Sequence, residues 1–584
     1  MDEIAVRVGG QAGDGIASVG ESLARCFSRM GLHTFGFNAY QSVIRGGHVW
    51  FQARAGAGRP HSQGDAADLL YAFDRASVDI HAPGLKPGGT VVHDPEKFQV
   101  ADSDLPPGVK VLHVPTLEIA RKYTSQSILQ NAAGIGACAF VAGIPLDVLH
   151  QVLTDSFGHK TGEIVDWNLG ASAAGYRFAE EHTSVSPHAL ARRGPAKLLM
   201  TGNQAIALGA AAGGLKFLAQ YPMTPATSIM HWLAAHAGML GVVVKQAEDE
   251  LAAVNMAIGA SYAGVRSMTA TSGGGFSLMV EALGMAGMTE TPLVVVDSQR
   301  SGPSTGLPTK TEQGDLNLML GAGQGEFPRA ILAPSNPAEA FTTMIQAFRL
   351  AEEWQTPILV ASDLHLSESF ATVDREEIPL DVDIPSLFTV APNGHDYRRY
   401  QHTASGVSPR AIPGQPGLQF VAGSDEHDER GHLISDIHAG LPVFVSERAK
   451  MMEKRMHKLH GLARAVPPPV LEGPADAPLT FVAWGSTVGA VRDAMAELAA
   501  RGHPTNLLRF PAVYPLDVAA VRAALGRAKR TMLVEANFSG QFGRLLRAET
   551  GLDLSERLLK YDGEPFFPHE IVARGIEVIQ HGRK

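Results

Sequence analysis

Ile4-Ala5-Val6-Arg7-Val8-Gly9-Gly10-Gln11-Ala12-Gly13-Asp14-Gly15-Ile16 is the stretch on which the fold class turns. Residues 4–8 alternate as a strand does, and the glycines break the run. Ile16, Val19, Leu23, Cys26, Phe27 and Met30 then recur at helical spacing. A second strand is expected at 34–37, so the opening is a β-loop-α-β unit, the building block of layered α/β domains. Strands expected at 69–73 and 90–93 continue it. The polar, Pro-containing segment 182–197 reads as a linker.

Outward from this unit the pattern repeats. Residues 198–372 offer a Gly/Ala-rich helix at 203–213 and strands at 242–245, 267–270, 293–297, 330–333 and 357–361, which predicts a doubly wound parallel sheet. Residues 373–470 are richer in Pro, His and charge. They close on a helix whose Met451, Met452, Met456, Leu459 and Leu462 share a face, with Lys450, Lys454, Arg455 and Lys458 read as the solvated side. From 471 to 584, strand (479–484), helix (488–501) and strand (531–535) predict a third α/β domain. The expected divisions are 1–185, 198–372, 373–470 and 471–584.

A chain of 584 residues exceeds one hydrophobic core. With 49 basic and 59 acidic residues the net charge is -10, and no basic run stands apart, which argues against nucleic acid. The amino terminus lacks the basic start and long apolar run of a secretory signal. No stretch reaches the roughly 18 apolar residues of a membrane span, so a soluble, cytoplasmic protein is expected. Cys26 and Cys138 are the only cysteines, too few for a disulfide framework or an iron–sulfur cluster, and both read as core residues.

The chemistry-bearing motifs concentrate in the second segment. Tyr221-Pro222-Met223-Thr224-Pro225-Ala226-Thr227 is a stiff turn presenting a hydroxyl. Gln246-Ala247-Glu248-Asp249-Glu250-Leu251-Ala252-Ala253 puts acids at the mouth of an apolar helix, where they serve either as caps or as reactive groups. Thr271-Ser272-Gly273-Gly274-Gly275 follows, and then Arg300-Ser301-Gly302-Pro303-Ser304-Thr305-Gly306-Leu307-Pro308-Thr309 leaves an apolar strand. A guanidinium at such a strand end grips a carboxylate well. Asp425-Glu426-His427-Asp428-Glu429-Arg430-Gly431-His432 matches no standard metal-ligand spacing, so no metal site is assigned. Gly9–Gly15 suits an anion or a plain tight turn.

In this order the motifs closely resemble the pyrimidine-binding α domain of the 2-oxoacid:ferredoxin oxidoreductases, whose members read Tyr-Pro-Ile-Thr-Pro, Glu-x-Glu-x-Ala-Ala, Thr-Ser-Gly-Pro-Gly and Gly-Pro-Ser-Thr-Gly-Leu-Pro-Thr. Met223 and Gly274 are departures. The opening glycine loop and Arg45-Gly46-Gly47 resemble the family's γ domain. Gly485-Ser486-Thr487, Tyr514-Pro515-Leu516 and the segment from Glu535 resemble its transketolase-C-like domain. The resemblance implies a γα-fused subunit in a thiamine-dependent, coenzyme A-acylating oxidative decarboxylation, with the 2-oxoglutarate enzymes the nearest in form. Pyruvate, branched-chain or aryl oxoacids are the alternatives, as is a non-catalytic scaffold.

The resemblance further implies Glu248, with Glu250 second, as the acid on the thiamine aminopyrimidine. Thr224 and Arg300 would bind substrate, and Tyr221, Pro222, Thr224, Ser272 and Gly273 the cofactor. Gly485, Ser486 and Thr487 would contribute to a coenzyme A site. Gly13-Asp14-Gly15 with Asn38 only approximates a diphosphate motif, because no second amide or acid stands beside Asn38. A separate β subunit is therefore expected to carry Mg2+, the diphosphate end of thiamine diphosphate and a [4Fe-4S] cluster. That subunit would pass electrons to ferredoxin, in an (αβ)2 heterotetramer.

Overall fold

The computed structural model describes every residue except 1, 2, 43–45, 125, 126, 159, 184–187, 189, 385–396, 435–441 and 582–584. Two units emerge. The first comprises Met1–Thr201 with Glu368–Glu377 and Phe567–His569, and the second comprises Gly202–Ser367, Ile378–Phe566 and Glu570–Lys584.

The first unit is built on one mixed sheet of eight strands. Their order is Lys110–His113, Leu85–His93, Ala67–Ala72, Glu3–Gln11, His48–Gly56, His33–Ala39, Phe370–Val373, Leu198–Thr201. Glu3–Gln11 pairs in parallel with Ala67–Ala72 but antiparallel with His48–Gly56, which also pairs antiparallel with His33–Ala39. That hairpin-like strand is missing from the sequence reading because His48, Gln52 and Arg54 interrupt its apolar pattern. The strands Leu198–Thr201 and Phe370–Val373, not expected as strands and lying at the two ends of the expected domain 198–372, hydrogen-bond into this sheet. The helix Ile16–Arg29 buries Val19, Leu23, Cys26 and Phe27, as its periodicity dictates, and Cys138 is equally buried. Arg45 lies outside the described residues, whereas Gly46 and Gly47 both take the left-handed backbone that glycine alone adopts freely.

The second unit holds two sheets. The seven-stranded one runs Ala512–Tyr514, Ala330–Leu332, Pro357–Asp363, Leu293–Gln299, Ser267–Thr271, Phe217–Gln220, Val243–Gln246, and is parallel except for its first strand. The five-stranded one runs Val470–Glu472, Asn506–Phe510, Thr480–Trp484, Thr531–Glu535, Glu556–Leu559. Leu293, Val295, Leu359, Trp484, Phe510 and Phe542 belong to one buried cluster that joins the two sheets. Central strands such as Leu293–Gln299 are buried along their whole length, which fits their unbroken Val-Val-Val run.

One expectation fails in the connector. The helix Pro442–Ala465 carries Lys454, Arg455 and Lys458 almost wholly buried. Lys458 Nζ donates to Glu290 Oε2 at 2.6 Å and Lys454 Nζ to Glu290 Oε1, while Arg455 donates to both oxygens of Glu426 at 2.8 and 2.7 Å. These three are internal because each ammonium or guanidinium meets a carboxylate, whereas Lys450 is exposed as expected. Glu426 is thereby spent on Arg455 and Arg448.

Candidate active site

Parallel sheets bind ligands at the carboxyl ends of their strands, where loops leave and helix amino ends converge. The motif residues gather there in the second unit. Tyr221–Pro225 follows Phe217–Gln220, Glu248 and Glu250 follow Val243–Gln246, Ser272–Gly275 follow Ser267–Thr271, and Arg300 follows Leu293–Gln299.

The threonine turn is fastened from several sides. Asn203 Nδ2 donates to Pro225 O and to Ser228 Oγ, each at 2.8 Å, and Gln220 Nε2 donates to Ala226 O at 2.9 Å. Thr271 Oγ1 contacts Met223 Sδ at 3.7 Å. Arg300 Nη1 donates to Thr224 O at 2.8 Å, so the two residues expected to hold substrate are joined directly. Asn203 and Gln220 were not singled out as site residues, since an amide in an apolar segment has no distinguishing period.

A cavity of about 480 Å³ opens among these loops. Met223, Ser272, Gly273, Arg300, Ser304 and Asp315 line it. Arg300 is partly buried; burial draws its guanidinium below the usual range while Asp315 opposes. The remaining donors of its fork are thus held beside a cavity of substrate size.

The two acids at the helix mouth are placed differently. Glu248 is exposed, Asp249 caps the helix Glu250–Tyr262 by accepting from Ala252 N at 2.7 Å, and Glu250 is buried. Glu250 Oε1 is enclosed without a partner. A Cβ built at Gly275 would lie 2.5 Å from that oxygen and 2.2 Å from Thr271 Oγ1, so glycine at this position makes room for the carboxyl group. The dry surroundings sought for a proton-sharing acid therefore belong to Glu250, the second choice, and not to Glu248. Ser272 is fully buried with Oγ unpartnered, and Tyr221 stands at the surface.

Gly485-Ser486-Thr487 is otherwise engaged. Ser486 N donates to Asp363 Oδ2 at 3.4 Å and Thr487 Oγ1 to Trp484 O at 2.8 Å, while a Cβ at Gly485 would meet Gln313 Nε2 at 2.8 Å. The Asp363 carboxyl thus lies against this turn.

Comparison with known proteins identifies the family. Residues 208–439 match the family described as pyruvate flavodoxin/ferredoxin oxidoreductase, thiamine diphosphate-binding, and residues 5–178 the family described as pyruvate ferredoxin/flavodoxin oxidoreductase. The α subunit of a 2-oxoacid:ferredoxin oxidoreductase of Sulfolobus sp. is 31% identical over 99% of this chain and 97% of its own. The 2-oxoglutarate oxidoreductase subunit KorA of Mycobacterium tuberculosis is 30% identical over 98% of this chain and 91% of its own. Among solved structures, 2-oxoglutarate:ferredoxin oxidoreductase from Magnetococcus marinus, with 2-oxoglutarate, coenzyme A and succinyl-CoA bound, superposes with a TM-score of 0.91. It is 35% identical, covering 99% of this chain and 100% of that one. The chain belongs to the thiamine-dependent 2-oxoacid:ferredoxin oxidoreductases, as an α subunit.

Proposed function

We propose that the chain, with a partner subunit, catalyses reversible oxidative decarboxylation of 2-oxoglutarate with coenzyme A to succinyl-CoA and CO2, electrons leaving to ferredoxin. The observation that carries this reading is the cavity in which Arg300, tied to Thr224, stands among glycine loops, with the buried Glu250 and its unpartnered Oε1 packed against the same glycine loop at Gly275. The full-length likeness to an enzyme described with 2-oxoglutarate and succinyl-CoA bound supports the substrate.

Thiamine diphosphate, when bound, supplies the nucleophilic carbon and the electron sink for decarboxylation. Glu250 fits its aminopyrimidine end: its enclosed Oε1, left without a partner beside Gly275, is free to hydrogen-bond a ring nitrogen, whereas Glu248 stands exposed. Arg300 orients the oxoacid carboxylate through its remaining N–H donors, and Thr224 fixes the guanidinium through its backbone carbonyl. Ser272 and Gly273 shape the wall against which the ring would lie. We assign Mg2+, the diphosphate end and the [4Fe-4S] cluster to a β subunit, in an (αβ)2 assembly. Met239, Val243, Leu251 and Leu278, on the edge strand and helices that carry the site, are exposed large apolar residues of the kind a partner subunit covers.

The test is methyl viologen reduction by the co-purified complex. Dependence on both coenzyme A and 2-oxoglutarate is expected, with pyruvate, branched-chain and aryl oxoacids slower. Equal rates with every oxoacid would remove the substrate assignment, and no coenzyme A-dependent reduction would remove the reaction.

A further inference from the structure

Asp315 on the cavity wall and the buried Asp297, close enough to feel its charge, have no part in the chemistry described so far. Asp297, near the end of the strand Leu293–Gln299, is fully buried, and neither of its carboxyl oxygens has a partner among the described residues. Asp315 lines the cavity with Arg300, and its Oδ2 is likewise enclosed and unpartnered. Its backbone is pinned, since Asp315 N donates to Gln299 Oε1 at 3.0 Å and Gln299 Nε2 donates to Ser362 O at 3.0 Å. The Asp315 carboxyl presses on the start of the helix Gly273–Met288, where a Cβ at Gly273 would lie 2.4 Å from Oδ2. Independently, the fully buried Ser272 Oγ on the same cavity lining also lacks a partner, so two unpartnered polar atoms, this one and Asp315 Oδ2, belong to lining residues.

Such a pair does not carry two charges. Burial raises Asp297 well above the usual carboxylate range and the charge of Asp315 adds to it. Asp315 is pushed up to about 6, by burial first and Glu312 second, with Arg300 opposing. The other packed elements bring no compensating cation: neither Gly273–Met288 nor Leu316–Gly321 contains a Lys or Arg. Glu250 meets that first helix at Gly275 and adds a further acid. Buried carboxyls in this setting lose their protons in sequence, one well after the other.

We infer that Asp315, in its protonated form, completes the oxoacid seat beside Arg300: its O–H donates to an oxygen of the bound substrate, and its ionisation turns the seat against an anion. This rests on Arg300 being the substrate-binding residue. Asp297 keeps its own proton longer and so leaves the floor neutral while Asp315 titrates.

The test is the KM for 2-oxoglutarate from pH 5.5 to 8.5 in the intact complex, with the KM for coenzyme A as the internal reference. In the unsubstituted enzyme the oxoacid KM is expected to climb toward tenfold per pH unit above the break, the limit for a single required proton. Asp315→Asn, whose amide still donates but never ionises, is expected to hold that KM within about twofold across the range. Glu312→Gln, which removes a charge that raises Asp315, is expected to move the break to lower pH. A profile for Asp315→Asn parallel to that of the unsubstituted enzyme would overturn the inference. So would inactivity at every pH with unchanged melting and subunit assembly, because the ionised form would then be the one required. Should Asp315→Asn fail to fold, an unmoved break in Glu312→Gln overturns it and a moved one supports it. Arg300→Lys separates the two levels: an unchanged oxoacid KM there sinks the substrate reading itself, whatever Asp315 does.

Discussion

Glu290 and Asp297 sit seven positions apart, either side of one strand start, and both are fully buried acids, yet their surroundings push them in opposite directions. Glu290 precedes the strand Leu293–Gln299. Burial works against its charge, but Lys454, Lys458 and Arg399 overcome it and hold the carboxyl well below the usual range. Arg399 also donates to Glu290 O at 2.7 Å. Asp297, toward the carboxyl end, has no cation beside it among the described residues, and burial holds it well above the usual carboxylate range. The amino end of the sheet thus spends its buried charge on holding connector to core, while the carboxyl end leaves carboxyl oxygens open around a cavity. Glu250, with Oε1 unpartnered, belongs to the second class. Removing an acid from the paired end should cost stability, whereas at the open end the effect should fall on catalysis, substrate binding or their pH dependence.

The largest expected effect is at Glu250. Glu250→Gln should lower kcat by about 10³-fold or more, in keeping with the loss of a positioned proton-sharing group, while melting and subunit assembly stay as before. Glu248→Gln should retain activity within a few-fold. Steady-state kinetics on both variants decide between the two acids, and a reversed order would hand the role to the exposed residue. Glu290→Gln should do the opposite. It leaves Lys454 and Lys458 buried without their carboxylate, a loss of about 3–5 kcal/mol read as a lower melting temperature. The catalytic constants of the fraction that remains folded should be unaltered. Next in size is Arg300→Lys, which gives up the planar fork for a point charge. A 10- to 100-fold rise in the oxoacid KM, or about 1.5–3 kcal/mol, is expected without a change in melting.

How far such contrasts were legible beforehand depended on whether neighbours in sequence were also neighbours in space. The expected strands at 267–270, 293–297 and 531–535 match Ser267–Thr271, Leu293–Gln299 and Thr531–Glu535 closely, because a buried parallel strand writes itself as a continuous apolar run. The motif turns around Thr224, Ser272 and Arg300 were visible for the same reason, each being one contiguous loop after a strand. What periodicity could not supply was pairing at a distance. Lys454 and Lys458 look like a solvated stripe until Glu290, 164 and 168 positions away, is brought to them. Two acids within three residues of each other gave no hint that the helix start would expose Glu248 and enclose Glu250. The single Asp in Val294-Val295-Val296-Asp297 was a signal available in the sequence, since a carboxyl placed in an apolar strand asks for a partner.

The smallest effect tests whether the open end carries a cost. Folded, Asp315 keeps its proton up to about pH 6; unfolded, an aspartate releases it near 3.9, that is, about two pH units earlier. Its contribution to stability is therefore complete below about pH 4 and is lost as the pH rises through 6, because the native state then holds a charge it solvates poorly. Asp315→Asn never enters that regime. It should melt with the unsubstituted chain at pH 4.5 and above it at pH 7.5, by on the order of 1–2 kcal/mol, which for a domain of this size is a few degrees. Differential scanning calorimetry at the two pH values checks it. A variant that melts lower at pH 7.5 would mean that the ionised carboxyl is stabilised by a contact the native chain makes, and the distinction between the paired end of the sheet and its open end would then fail at Asp315.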